Sequence, residues 1–476
     1  MTPMSSEANG PPTVGVVGAG LAGLAAAFRL RSRGVDVRVF EAGRRAGGMV
    51  RSHGEGGFLA EAGPHSLSRP DEAVRALFSE AGLDDRRIVP DPERSARFIV
   101  RDGRLIALPS RPSGILSTPL LSLGARMRLL AEPLRARTRS SSEDEGEDES
   151  VADLLRRRGM GQEIVDRFLD PFVAGVYAGD PERLSARHAF PLLSELEREH
   201  GSLIRGLLAR SWRGRAKRQE EPGSAPPIFS FRDGMEEIPR ALARALSGRI
   251  HLETAVTGLT PDGDSGWRLH GAHGALDRFD RILLALPAHR VTALELPGEA
   301  AAALPPLSRV SHPPIVLLTL GFPRASGQHP MNGFGMLVPR IEGAEVLGAL
   351  FPSTLFAGRA PEGHLSVATF VGGTRQPELT SLPDEALESL VRGELERLLG
   401  IRQEPVFRHL ARWERSIPQA NVGYGEVKAA AGQLERTLAG VYIAGSWRDG
   451  VSVGDALGSG LAAAERALES DRSGSV

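Results

Sequence analysis

The chain has 476 residues, 41% of them hydrophobic and 25% charged, with a formal net charge of −1. That length buries a sizeable core and points to two or three domains, while near-neutrality makes no overall case for a nucleic-acid partner. Cysteine is absent, which excludes disulfides, thiolate metal sites, a cysteine nucleophile and a cofactor attached through a thioether.

Residues 1–12 carry neither a basic stretch nor an apolar one and read as a disordered lead-in rather than a signal peptide. A short apolar strand follows (Val14, Val16, Val17), then the turn Gly18-Ala19-Gly20-Leu21-Ala22-Gly23 and a helix from Leu24 to Leu30. A second strand (Val35, Val37, Val39, Phe40) ends on Glu41, eighteen residues past Gly23. In this order each part has a physical task. Gly18 permits a tight turn, Gly20 lets backbone approach a pyrophosphate, and Gly23 lets helix and strand pack closely; the helix N-terminus faces the phosphates and Glu41 accepts ribose hydroxyls. Beyond Glu41, the paired glycines of Arg45-Ala46-Gly47-Gly48-Met49 allow another close approach, and Arg45 suits a phosphate. Glu61-Ala62-Gly63-Pro64-His65 continues the segment; His65 reads as a loop residue near the cofactor rather than a catalyst.

Two apolar runs around Asp102-Gly103, from Arg97 to Leu108, predict a hairpin. From 113 to 215 the pattern turns helical. Leu123, Met127, Leu130 and Leu134 form one stripe, ringed by Arg126, Arg128, Arg135, Arg137 and Arg139; it suits either packing inside a helical domain or an anionic lipid surface. The acidic run Glu143 to Glu149 reads as a solvated linker, with Ser150 and Asp153 as a capping box for the next helix. A second basic cluster runs from Arg205 to Arg218. Further on, Phe229 and Phe231 precede a helix through Ile238 to Leu246, and Arg281 to Leu286 reads as a buried strand. Strand candidates lie at 315–320, 333–338, 346–351 and 365–371, and a helix at 383–399. The strand Gly440 to Gly445 then leads through Asp455 into a terminal helix, Leu457 to Leu468. No stretch reaches eighteen uninterrupted apolar residues, so a spanning helix is not expected.

The C-terminal segment chooses FAD over NAD. A strand closing on Gly445, with an acid about ten residues later at a helix start, supplies a second contact in which Asp455 accepts a ribityl hydroxyl. A nicotinamide domain needs no return from the far end of the chain.

GAGLAGLAAAFRL, VRVFEAGRRAGGMVRSH and AEAGPHSL at the start resemble the flavin amine oxidase superfamily. The segment Asp170 to Ser185, with its PFVAGVYAGDPERLS, is similar to the protoporphyrinogen oxidase family, as are Arg97 to Leu105, Phe334 to Pro339, Ala368 to Gly373 and Ser416 to Ala420. The resemblance spans nearly the whole chain. It departs at Ala420, where the family commonly has an aromatic after Pro-Gln, and at Ala456, where relatives often carry cysteine.

The resemblance implies an α/β, multi-domain fold: a Rossmann-like FAD-binding domain with a parallel sheet (13–95, 247–300, 405–476), a mixed-sheet substrate domain (96–112, 216–246, 301–404) and an inserted helical membrane-binding domain (113–215). It implies non-covalent FAD held by Gly18, Ala19, Gly20, Leu21, Ala22, Gly23, Glu41, Ala42, Arg45, Gly47, Gly48, Met49, Gly63, Pro64, His65, Ser66, Val256, Trp413, Gly445, Val453, Asp455 and Ala456. By matched position Arg97 holds a propionate, Gly175 offers its carbonyl to pyrrole N–H groups, and Phe334, Leu337, Leu350 and Phe370 line the tetrapyrrole slot. The implied reaction oxidises protoporphyrinogen IX to protoporphyrin IX with O2 as acceptor, giving hydrogen peroxide. Six electrons leave in three flavin cycles, and no acid–base dyad is needed because the flavin carries the hard step. A cytoplasmic protein peripheral to the inner membrane, a homodimer and transfer of product to the next heme-pathway enzyme are further expectations; no metal and no nucleic acid are expected.

Three rivals remain. Coproporphyrinogen III oxidation differs only in the carboxylate count of the substrate. An amine oxidase or carotene desaturase is disfavoured, because lysine occurs only at Lys217 and Lys428, outside the site segments, and the chain has three tyrosines. A non-catalytic dinucleotide-binding regulator has no use for a substrate domain.

Overall fold

The computed structural model describes residues 12–94, 96–109, 114, 117–135, 148–220, 228–263, 266–324 and 326–469, with side chains omitted for 212–220. The expected lead-in and most of the acidic run fall outside these residues.

A five-stranded, all-parallel sheet orders Ile250–His251, Asp36–Phe40, Thr13–Val17, Arg281–Leu284 and Val441–Ile443. Its strands are short apolar runs because both faces are covered. The helix Leu21–Ser32 buries Leu24, Ala25, Ala26, Ala27 and Leu30 on one side, where the helix Val453–Glu469 packs beside it. The second side carries Trp267, Val291, Val427 and Leu434. A β-carbon on Gly460 would collide with the Ala22 carbonyl, so the two helices approach backbone to backbone.

The second sheet is mixed and seven-stranded, in the order Phe407–Trp413, Ile315–Pro323, His364–Gly372, Gly348–Leu350, Gly333–Leu337, Ala96–Arg101 and Arg104–Ala107. Neighbours are antiparallel except Gly333–Leu337 with Ala96–Arg101, which run parallel. One face packs Val316, Leu318, Met336 and Val367 onto the helix Asp384–Leu399. Its other face turns toward the parallel-sheet domain.

Helices dominate from Leu123 to Glu220. Ser150 caps the helix Val151–Arg157 and bonds Asp153 in both directions, the expected capping box. Two expectations change here. Leu123, Met127, Leu130 and Leu134 are 73%, 57%, 53% and 84% exposed, so the stripe does not pack inside the domain. The helix Leu123–Ala131 buries Ala125 instead, and the next turn buries Glu132 against Arg158. The end of the acidic run is not solvated linker either: Asp148 accepts from Ser185 and Gly423, and Glu149 pairs with Arg157.

Residues 228–246, expected with the substrate domain, pack in the nucleotide core. The strand Ile228–Phe231 pairs with Leu67–Ser68 and Arg87–Ile88, and Phe229, Phe231, Ile238 and Leu242 join Val74 and Phe78. Phe229 and Phe231 pack edge to face on Phe78, beside Leu77.

Candidate active site

The glycine turn divides its work among three positions. Gly18 has φ +102° and a β-carbon there would lie 2.5 Å from the Ala285 carbonyl oxygen; on Gly23 it would collide with the Gly18 carbonyl. These two serve the fold. Gly20 faces open space, with nothing within 4 Å of its missing β-carbon, at the N-terminus of the helix Leu21–Ser32. That opening is where a diphosphate meets free amides.

Glu41 closes the turn from the neighbouring strand. Its carboxylate accepts from the Ala19 amide at 2.8 Å and the Gly43 amide at 2.7 Å, which fixes it beside the turn, with exposed Ala42 following. Thr254 donates its amide to the Glu41 carbonyl, bringing Val256 to the same edge. The Gly47 amide donates to the Ala19 carbonyl at 2.7 Å, and Gly48 stands with its β-carbon position 3.3 Å from Gly20. Arg45, expected to suit a phosphate, has a structural task as well. Its guanidinium donates to the carbonyls of Ala46, Gly48 and Val50 and so braces this loop.

Gly63 lies so close to Met49 that a β-carbon would strike its carbonyl oxygen. Two residues on, past Pro64 and before Ser66, the His65 ring sits 6.1 Å from Phe370, edge to face, with Nε2 buried and without a partner among the described residues. Burial, with the nearby Arg359 charge, pulls the imidazole down to about 3, so it is neutral. Trp413 donates its indole N–H to the Ala62 carbonyl at 2.6 Å, tying the mixed sheet to this loop.

The C-terminal return arrives as expected. Gly445, at φ +142°, donates its amide to Ser459, and the helix Val453–Glu469 opens with Ser452 and Asp455 bonding each other's amides. Val453 and Ala456 lie in its first turn beside Asp455. Burial, with the Asp455 charge adding, pushes the Tyr177 hydroxyl, at the end of the helix Asp170–Tyr177, up to about 12.

Strand register assembles the other wall. Arg97, Gly335, Leu350 and Ala368 pair across one row; Ile99, Leu337, Gly348, Phe370 and Leu317 pair across the next row on the same face. The register shift between Gly333 and Gly335, with Gly335 at φ +153°, re-aims Phe334 toward Arg97, whose guanidinium lies 5.2 Å from the Phe334 ring centre. Arg97 is exposed and no carboxylate of the described residues pairs with it. Over this face comes the helix Asp170–Tyr177. A β-carbon on Gly175 would collide with Leu337, so helix and sheet meet there at the closest range a side chain allows. Phe370 joins the three parts: it packs with Ala62 and Leu350, with Ala174 and Ala178, and against His65.

The match to known proteins covers this architecture. A family model described as flavin containing amine oxidoreductase matches residues 21–468. The chain belongs to the flavin-containing amine oxidoreductases. Among relatives of this family, protoporphyrinogen oxidase 2, chloroplastic/mitochondrial, of Arabidopsis thaliana is 33% identical over 96% of this chain and 94% of its own length. Coproporphyrinogen III oxidase of Bacillus subtilis is 26% identical over 97% and 98%. A crystal structure from Exiguobacterium sp. 255-15, carrying a provisional protoporphyrinogen oxidase name, superposes with a TM-score of 0.79 at 26% identity over 98% of this chain and 100% of its own.

FAD is the cofactor of this flavin-containing oxidoreductase, and the residues present fit it. Gly20 leaves its β-carbon position free, the β-carbon position of Gly48 stands 3.3 Å from Gly20, the Glu41 carboxylate holds the Ala19 amide beside it, and the helix opened by Ser452 and Asp455 packs on the helix Leu21–Ser32 through Gly460 and Ala22. Sequence reasoning gave no role to five buried polar residues. Gln419, 1% exposed, donates to the Tyr177 carbonyl at 2.8 Å, and its Oε1 has no partner among the described residues. Arg359, 1% exposed, donates to Ser230, Phe231 and Arg232 and stands 3.9 Å from Glu61. Burial raises Glu61 to about 7 despite bonds from Ser52 and Met235. Asp170 and Arg375 form the remaining pair. A proline-and-glutamine motif marked Gln419, and Glu61 and Asp170 stood in family-like segments with no role of their own; nothing local marked Arg359 or Arg375.

Proposed function

We propose that this oxidoreductase converts protoporphyrinogen IX to protoporphyrin IX, with O2 as acceptor and hydrogen peroxide as by-product. The observation that carries the reading is Arg97: one exposed guanidinium, backed by an aromatic ring, at the edge of a sheet face otherwise lined by Phe334, Leu337, Leu350 and Phe370. A largely apolar ring system with carboxylates on one edge matches that division.

When bound, the flavin supplies the hydride acceptor and the route of electrons to dioxygen. This chain's residues do the rest by placement. Arg97 takes a propionate through charge-assisted bonds and sets the ring's orientation. Phe334, Leu337 and Phe370 exclude water from the ring's edge and hold it beside the cofactor opening. Gly175 lies in the last turn of its helix, where carbonyls lack intrahelical partners, and so accepts pyrrole N–H bonds. Neutral His65 adds no charge beside Phe370.

The same reading places the exposed Leu123, Met127, Leu130 and Leu134 stripe on a lipid surface at the cytoplasmic face of the inner membrane, flanked by Arg126 and Arg128. Among the described residues, no helix is long and apolar enough to cross a membrane. A homodimer and delivery of product to the next heme-pathway enzyme belong to this proposal.

Aerobic incubation of purified holoenzyme with protoporphyrinogen IX, following porphyrin fluorescence and peroxide together, is expected to give both. Coproporphyrinogen III, with four carboxylates for one well-placed cation, is expected to turn over more slowly. Clear preference for it would transfer the reading to the Bacillus-type reaction, and a colourless protein that takes up no FAD would remove it.

A further inference from the structure

The helix that carries Gly175 is pinned at both ends by charges that no part of the reaction uses. At its first residue, Asp170 is 5% exposed and its Oδ2 accepts from Arg375 Nη2 at 2.9 Å and from the Arg340 amide at 2.7 Å. Arg375, whose side chain is also 5% exposed, sends its other terminal nitrogen to the Val338 carbonyl at 2.8 Å. The Arg340 guanidinium bridges outward, 3.7 Å from Asp170 and 3.4 Å from Asp180, just past the helix's far end. There Ala178, left-handed at φ +50°, gives its carbonyl to the Thr374 amide at 2.8 Å, and Gln419 takes the Tyr177 carbonyl.

These anchors sit on two particular strand exits. Val338 and Arg340 directly follow Leu337, and Thr374 and Arg375 lie four and five residues past Phe370. Leu337 and Phe370 are therefore joined, within five residues each, to the anchors at both ends of the helix that packs on them. Burying such a pair is a poor way to gain stability: desolvation offsets most of the attraction, and well-packed apolar residues often do as well. Burial indeed lowers the Arg375 pKa, and its Nε has no partner among the described residues. What a guanidinium held by directed hydrogen bonds supplies, here one to Asp170 and one to the Val338 carbonyl, and apolar contacts do not, is a defined distance.

We propose that Asp170 and Arg375 are positioning residues that fix how the Gly175 turn seats on the Leu337–Phe370 face, and hence where the Gly175 carbonyl stands relative to a flat substrate bound beside that contact. The inference rests on the porphyrinogen reading for the substrate's identity, but not for the mechanical link. Three variants of the full-length holoenzyme test it: Arg375→Lys, Arg375→Met and the apolar pair Asp170→Leu/Arg375→Met, the last chosen because it leaves no charge buried alone. We expect Arg375→Met and the apolar pair to raise the porphyrinogen KM roughly tenfold, with FAD content and the flavin absorbance spectrum as in the parent, and Arg375→Lys to recover part of the loss. Hydrogen exchange of amides 170–178 is expected to rise in both, while amides 384–399 on the opposite face of the sheet stay protected.

An apolar pair with parental KM and unchanged exchange at 170–178 would overturn the proposal. If the parent enzyme turns over no porphyrinogen, the substrate reading fails, and the exchange result still decides the mechanical link. Variants that lose FAD together with KM would equally count against it, since a general loss of fold is then the explanation.

Discussion

The nucleotide turn and the substrate-facing sheet surface are built on opposite terms. The turn works by lacking side chains: Gly18 and Gly23 let backbone touch backbone, and Gly20 leaves a space. The sheet surface works by displaying them, with alternate residues of five strands brought into two rows and one bulge turning Phe334 round to join them. In the first region function depends on which direction an added carbon points; in the second it depends on register. Where the two meet, at Glu61 to Ser66, the joint is made by a buried arginine from the mixed-sheet domain, Arg359.

The comparison breaks most severely at Gly23. Gly23→Ala places a methyl against the Gly18 carbonyl, a backbone neighbour that cannot give way, and the expected result is loss of soluble flavoprotein, read from yield and flavin absorbance; a yellow protein of normal yield would refute the close approach. Next is the joint. Arg359→Met leaves Glu61 buried and unpaired, and is expected to cost about 3 kcal/mol in denaturant unfolding, the lower part of the range for breaking a buried pair because Glu61 can take up a proton. Glu61 itself gives a pH signature. Its pKa rises from 4.5 to about 7 on folding, so below 4.5 it is neutral in both states, and between 4.5 and about 7 the folded state keeps a proton the unfolded state has lost. Stability contributed by this group therefore falls as pH rises through that window. Glu61→Gln is expected to flatten the midpoint against pH there, and an unchanged profile would remove the claim.

On the display side, Arg97→Ala is expected to raise the porphyrinogen KM about tenfold, the value of a charge-assisted contact, with FAD content unchanged. An unchanged KM would deny its carboxylate role. The smallest structural effect sharpens the contrast. Gly20→Ala points into open space, so folding stability should shift by less than about 1 kcal/mol, yet FAD retention should weaken, measured by dialysis. Equal retention would mean the space is not the diphosphate seat.

The same contrast explains what the sequence discloses. Gly18, Gly20, Gly23 and Glu41 were legible because strand, turn, helix and acid are neighbours in the chain, and each glycine has a backbone reason to be one. Most strands announced themselves by apolar runs. Arg359 and Glu61 were not legible: they lie 298 positions apart, and a buried arginine looks like a surface one until the fold encloses it. The 123–134 stripe shows the converse, since periodicity reports that one helix face is apolar but not which way it turns. Residues 228–246 were misplaced because their short strand pairs with Leu67–Ser68 and Arg87–Ile88 across more than a hundred intervening residues.

One feature of the parallel sheet bears on how the enzyme is made. Its central strand, Thr13–Val17, is made long before the edge strand Val441–Ile443 and the helix that seats Gly460 on Ala22. At translation rates of about 5–20 residues per second, that is an interval of roughly twenty seconds to a minute and a half. Through that interval the helix Leu21–Ser32 has no partner for the surface it later buries against Leu457 and Leu461.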